Sequence, residues 1–221
     1  MNLESKILNQ YSESSDQYGQ LPYSPFIHHM CVERERHYKR FMDAKFHNLN
    51  EKTIFEIGAG SGDNLFFFNR LGIYNQNIFA NDMVPSRIKK LKEHFIHKNI
   101  IEGNILEIDI NQKFDIVFQS TVFSSLLDQT DRISAANKMK QLLAPGGVIL
   151  WYDFTFNNPK NKKVRGVKKS EVKSLFSDSK NIKFKRVTLS PPIGRNVKEA
   201  YNFFNFIFPF FRTHLIAVIE Y

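Results

Sequence analysis

The chain holds one cysteine, Cys31, and one tryptophan, Trp151. One thiol cannot close a disulfide within the chain, and a cysteine-rich zinc site is excluded with it. A reducing, cytoplasmic setting is therefore the expectation. No run of eighteen uncharged apolar residues occurs, so no membrane-spanning helix is expected. The longest apolar run, Phe203 to Phe211, is too short to span and is broken by Pro209. The first twenty residues are polar and lack the apolar stretch of a secretory signal. Acids are in deficit: 22 Asp and Glu stand against 31 Lys and Arg, a formal charge of +9. That surplus suits an anionic partner, whether lipid or nucleic acid. The cations are spread along one helix and one loop, however, and no separate nucleic-acid module is recognisable.

The 221 residues are enough for one domain with additions, and 42% of them are apolar, which is ordinary for a folded chain. Ser, Gln, Tyr and Pro dominate the first thirty residues, where Pro22 and Pro25 argue against a helix. Residues 1–31 are read as a loose arm that closes over a ligand as a lid, with the main domain at 32–221. A helix is expected from Val32 to His47. After it strands and helices alternate: strands at Thr53–Ile57, Asn77–Ala80, Asn99–Glu102, Lys113–Phe118 and Val148–Tyr152, helices at Asn64–Leu71, Pro85–His97 and Arg132–Leu143. Such alternation predicts a parallel sheet covered on both faces. Two further strands, Lys183–Leu189 and Phe211–Ile219, follow a short helix near Glu171–Phe176.

The sharpest local signal is Gly58-Ala59-Gly60-Ser61-Gly62, directly after the first strand. Glycines there permit a tight turn and let a ligand approach bare backbone beside a helix N-terminus. Asp82 ends the next strand, where a carboxylate can accept both hydroxyls of a ribose. A dinucleotide fingerprint would need glycine at 63, and this chain has Asp63. Glu56 and Asp63 beside the turn would repel a pyrophosphate. They suit a ligand with an amino group and a sulfonium charge, which points to an adenosyl-sulfonium. The plainer alternative is a bare strand–helix turn whose acid caps the next helix.

Four segments in order, Glu56 to Gly62, Asn81-Asp82-Met83, Phe114 to Phe118 and Leu142 to Gly147, resemble the class I S-adenosylmethionine-dependent methyltransferases. The resemblance implies a single-domain α/β Rossmann-like fold with a mostly parallel seven-stranded sheet and an antiparallel last strand. It implies S-adenosyl-L-methionine as cofactor. Glu56, Gly58, Ala59, Gly60 and Gly62 would line its methionine end, Asp82 would hold the ribose, and Met83 would pack on the adenine. Asn104, beside Ile105, stands where relatives carry an aspartate that meets the adenine amino group; its amide carbonyl can accept the same bond. Gln119 and Ser120, at the end of the fourth strand, would reach the cofactor and the acceptor. Segments near Trp151 to Phe154, Asn157 to Asn161, Val164 to Val167 and Leu189 to Pro192 resemble a bacterial subgroup, some members of which occur with genes for surface polysaccharide synthesis.

Methyl transfer needs alignment and exclusion of water, and a base only for a hydroxyl or a protonated amine. Asp153, ending the fifth strand, is the candidate base; the alternative is that it braces the following loop. Arg165 suits a phosphate or carboxylate on the acceptor, or else lies on a solvated basic face. Tyr23 is assigned to the acceptor side of the lid with Tyr11 and Arg34. His28, His29 and Cys31 do not have the spacing of a metal site, so no metal is expected. The Phe-rich run is a helix packed on the sheet, a dimer contact or a foot on a membrane surface. The expected acceptor is a small molecule or a glycan-linked group. Methylation of RNA, or a cofactor-binding subunit without turnover, are the alternatives, and the inner membrane surface is the alternative location to the open cytoplasm.

Overall fold

The computed structural model describes residues 3–12, 24–157 and 161–221. The N-terminal region departs from the expected loose arm. Helix α1 covers Leu3–Ser12 and helix α2 covers Pro25–Lys45. Pro25 starts α2 because proline at the first helical position lacks only an N–H that would have no helical partner, and its fixed φ is helical. Ser24 caps the helix, its hydroxyl accepting from the Ile27 amide. The boundary expected at residues 31 and 32 thus falls inside one continuous helix. Tyr23 lies outside the described residues.

The strands are β1 (Ile54–Ile57), β2 (Ile78–Asp82), β3 (Ile100–Glu102), β4 (Phe114–Ser120), β5 (Leu143–Phe154), β6 (Asn181–Leu189) and β7 (Arg212–Glu220). They form one sheet in the order β3-β2-β1-β4-β5-β7-β6. Strands β1 to β5 pair in parallel, and β7 lies antiparallel between β5 and β6. Helices α3 (Asp63–Arg70) and α4 (Pro85–His94) join α2 on one face. There Tyr38, Met42, Leu65, Phe68 and Leu91 bury against Ile54, Phe118, Leu150 and Tyr152. Helices α5 (Gln129–Leu142) and α6 (Lys169–Leu175) cover the other face. There Ala136, Met139 and Val172 pack on Phe55, Val117, Ile149 and Trp151. Helices α7 (Pro191–Val197) and α8 (Tyr201–Ile207) lie between β6 and β7.

The winding reverses at β1, which is flanked by β2 on one side and β4 on the other. Loops leaving β1 and β4 therefore diverge and open a crevice at the carboxyl edge of the sheet, the usual place for a ligand on such a sheet.

Candidate active site at the carboxyl edge

The turn after β1 requires its glycines for different reasons. Gly58, Gly60 and Gly62 all have positive φ, at 61°, 61° and 89°. A Cβ on Gly58 would lie 2.6 Å from Val122 Cγ2, and one on Gly62 would lie 2.8 Å from the Phe95 ring. Those two glycines serve packing. A Cβ on Gly60 would meet no protein atom within 4 Å, so this glycine faces open space. Ala59 is buried, and its amide donates to the Asn81 carbonyl at 2.8 Å, pinning the turn to β2.

Asp82 closes that pin from the other side. Its Oδ2 accepts from the Gly60 amide at 2.8 Å and its Oδ1 from the Val84 amide at 2.9 Å. Burial raises its pKa, while these amides and Arg87, 3.9 Å away, oppose the rise. Each carboxylate oxygen has capacity for a second donor. Met83 follows, half-buried.

Glu56 is fully buried beneath the turn. Its Oε1 accepts from Asn64 Nδ2 at 2.7 Å, and its Oε2 has no partner. Burial pushes the carboxyl up to about 8. Asn64 Oδ1 in turn accepts from Arg34 Nη2 at 2.6 Å, and Arg34 Nη1 donates to Ser120 Oγ at 3.3 Å. The Arg34 guanidinium lies 4.9 Å over the Tyr152 ring. Arg34 is itself buried, its Nε has no partner, and among the described residues it forms no ion pair. The Tyr38 hydroxyl beside it is also buried without a partner. Tyr152 bonds Thr188 Oγ1 at 3.0 Å and stacks on His214, ring centroids 5.0 Å apart. Burial pulls the His214 pKa down to about 4, so the imidazole is neutral near pH 7.

Other expected site residues point elsewhere. Asp153 is fully buried on the Trp151 face of β5. Its Oδ2 accepts from the Ser124 amide at 3.1 Å and its Oδ1 from the Phe154 amide at 3.0 Å. Burial lifts it to about 7. This geometry is that of a loop brace, with each carboxylate oxygen already accepting from a backbone amide. Gln119 is fully buried too, accepting from the Val122 amide and donating to the Tyr152 carbonyl. The Asn104 carbonyl accepts from the Leu106 amide and its Nδ2 donates to Glu107, an Asx turn that occupies much of the side chain. Ile105 is buried in the second core. Arg165 donates to Gln129 and shares Glu171 with the buried Arg132, which leaves one positive charge over, and its Nε has no partner.

Two features frame the mouth. Thr121, just after β4, has φ 60°, a strained conformation for a β-branched residue. It is held there by its amide bond to the Tyr152 carbonyl at 2.8 Å. Across the crevice, Tyr11 of α1 bonds Ser125 Oγ at 2.8 Å while the Arg87 guanidinium lies 4.1 Å over its ring. Helix α1 thereby bridges the first turn of α4 and the loop that follows β4. A cavity of about 340 Å³ lies under it, lined by Ile7, Ser125 and Asp128 among others.

Asn64 and Tyr38 were missed by sequence reasoning, and no spacing rule points to them. Arg34 was named only as part of the arm, yet it occupies the centre of the polar cluster.

Residues 54–147 match the methyltransferase domain family. Over 146 residues the chain is 27% identical to a malonyl-[acyl-carrier protein] O-methyltransferase of Calditerrivibrio nitroreducens, covering 63% of this chain and 54% of that protein. Over 109 residues it is 28% identical to a ribosomal protein L11 methyltransferase of Fusobacterium nucleatum, covering 46% and 34%. The chain thus spans about a third to a half of the length of these curated relatives. The structure of magnesium protoporphyrin IX methyltransferase from Synechocystis, solved with its cofactor, superposes with TM-score 0.67 over 100% of this chain and 98% of that one, at 10% identity. Sheet order, glycine turn and matched segment together give the chain the fold of the class I S-adenosylmethionine-dependent methyltransferases, with the methyltransferase domain signature in residues 54–147.

Proposed function

We propose that this protein transfers a methyl group from S-adenosyl-L-methionine to a small-molecule or glycan-linked acceptor. One observation carries the reading: the buried Glu56 keeps an oxygen without a partner directly under a turn whose central glycine faces open space. A buried carboxylate oxygen without a donor is costly, and an ammonium is the group that best relieves it. The residues present therefore fit the cofactor. Glu56 would hold its ammonium, Arg34 its carboxylate through the free Nε edge, and Asp82 the ribose hydroxyls. Met83 would lie along the adenine, with the Asn104 turn beneath it. When bound, the cofactor supplies a methyl already activated on sulfur.

The protein's remaining task is alignment and exclusion of water. Ser120 and Tyr152 stand beside Arg34 at the ends of β4 and β5 and would border the acceptor. Both oxygens of Asp153 are engaged by backbone amides, and burial holds His214 well below its ordinary range, so neither is set up as a proton acceptor; an acceptor that needs no base fits this site best.

Calorimetry with S-adenosylmethionine and its demethylated product tests the cofactor half. Binding is expected for the wild type, with a loss on the order of a hundredfold in Asp82→Ala, which removes two charge-assisted hydrogen bonds. Incubation of bacterial extract with methyl-labelled cofactor tests the acceptor half. Label in small molecules or glycans supports the reading, label in RNA or protein overturns the acceptor class, and no affinity for either ligand overturns the whole.

A further inference from the structure

The helix that precedes β7 has its polarity reversed. On α8 the inward positions are Tyr201, Phe204 and Asn205, with Tyr201 and Asn205 buried. Their polar groups donate to Glu33 of α2, Tyr201 Oη to Oε2 at 2.9 Å and Asn205 Nδ2 to Oε1 at 2.7 Å. The outward positions are Phe203, Phe206 and Ile207, and the following turn adds Phe210 and Phe211. Phe203, Phe206 and Phe210 are 65%, 79% and 63% exposed. Spacings of three and four residues put Phe203, Phe206 and Ile207 on one face of α8, and Phe210 and Phe211 follow on the turn after it. A patch of large apolar side chains on one face of a folded protein marks a contact surface.

The charge around these side chains says what they contact. From Ser179 to Lys198 the chain has six cations, Lys180, Lys183, Lys185, Arg186, Arg195 and Lys198, and no acid, and Glu199 follows directly. Lys185 lies on β6, the exposed edge of the sheet, on the face that carries α2, whereas Arg186 points to the other face over the Phe156 ring; Arg195 and Lys198 lie just before α8. A second copy docking two-fold through this face would set these cations against the same patch of its partner, which offers one acid, Glu199, to Lys185, Arg195 and Lys198. A single-stranded nucleic acid would want rings interleaved with cations; here the rings are grouped and the cations flank them. Apolar side chains beside a cationic border match the interface of an anionic bilayer.

We propose that α8 and the turn after it attach the protein to an anionic lipid surface, with Phe203, Phe206, Ile207, Phe210 and Phe211 entering the interface and Lys185, Arg195 and Lys198 meeting the headgroups. Strand β6 runs in the same direction as β5, so this attachment lies on the same sheet edge as the glycine turn. The crevice is thus brought to the bilayer, where a lipid-linked acceptor would be presented. The attachment itself stands independently of the methyl-transfer reading.

Co-sedimentation with vesicles tests it. The full chain should bind vesicles of phosphatidylcholine mixed with phosphatidylglycerol, and bind vesicles of phosphatidylcholine alone about tenfold more weakly, with added salt removing the difference. Phe206→Ser with Phe210→Ser should weaken binding to the mixed vesicles about tenfold or more. Lys185→Glu with Arg195→Glu, which disturbs no buried group, should do the same. Tyr74→Ser, an exposed ring before β2 at the opposite sheet edge, should change nothing. Absence of vesicle binding by the wild type, or binding indifferent to both double variants, overturns the proposal. So does a dimer that the Phe double variant dissociates, or capture of a single-stranded RNA in place of the vesicles.

Discussion

Glu56 links the candidate site to stability. Its carboxyl titrates near 8 in the folded protein against an ordinary 4.5. The fold therefore favours the protonated form. Its contribution is complete below pH 4.5 and is lost as pH rises through about 8. Relative to Glu56→Gln, the ligand-free wild type should lose stability across that interval, on the order of 5 kcal/mol in urea titrations at several pH values. A flat difference between the two proteins would show that Glu56 is ionised throughout. Asp153 calls for a different test. Asparagine there can accept one of the two amide donors but not both, leaving Ser124 or Phe154 without its bond. Asp153→Asn should cost about 1–3 kcal/mol in thermal unfolding. Its cofactor affinity by calorimetry should stay within about twofold, because the carboxylate braces a loop on the far face of the sheet. At this scale the sequence showed the residue types but not their direction. Asp153 and Tyr152 are neighbours on one strand, and the alternation of β5 sends them to opposite faces. The candidate base was thus turned into the core, while Tyr152 reached the polar cluster.

Among the elements, the glycine turn separates packing from binding. Gly60→Ala should lower stability by only about 1 kcal/mol, the strain of a side chain at positive φ, since its methyl meets no protein atom. The same methyl would enter the space left for the ligand, so cofactor binding should fall by more than tenfold in calorimetry. Gly58→Ala should behave in the opposite proportion, with a larger stability loss from the clash with Val122. Helix α2 depends on one half-buried acid: Glu33 accepts from the Thr188 amide, Tyr201 and Asn205. Glu33→Ala leaves three donors unmet and should destabilise by about 2–5 kcal/mol in denaturant unfolding, with α2 and α8 loosening first in hydrogen exchange. The strands of the parallel half were legible because each is a short apolar run ended by glycine or an acid. The Glu56 and Asp82 carboxylates were legible because the turn fixes their distance along the chain. The start of α2 was not, because Pro25 reads as a breaker until Ser24 is seen to cap it. The brace roles of Gln119 and Asn104 were not, because amides that bind a ligand and amides that bind their own loop look alike in one dimension.

For the molecule as a whole, the sheet is closed over at its carboxyl edge by α1, which reaches from Arg87 to Ser125 through a single ring. Tyr11→Ala should leave the fold intact and speed cofactor release about tenfold in stopped-flow measurements, the loss of one cation–π contact and one hydrogen bond. No helix among the described residues is long and apolar enough to cross a membrane. Its aromatic content makes the N-terminal segment a lid in expectation; its first part is helix α1, which meets Ser125 and Arg87 through Tyr11. Strand β7 has the widest reach of any element: it is the last strand in the chain, yet it sits between β5 and β6. Among the described residues strand β6 has no other neighbour. During synthesis, the first five strands can assemble as they leave the ribosome, but β6 and the helices after it must wait unpaired for β7. One free sheet margin and one solitary strand are thus exposed until β7 has emerged, which makes that interval the point at which a nascent chain most needs a chaperone.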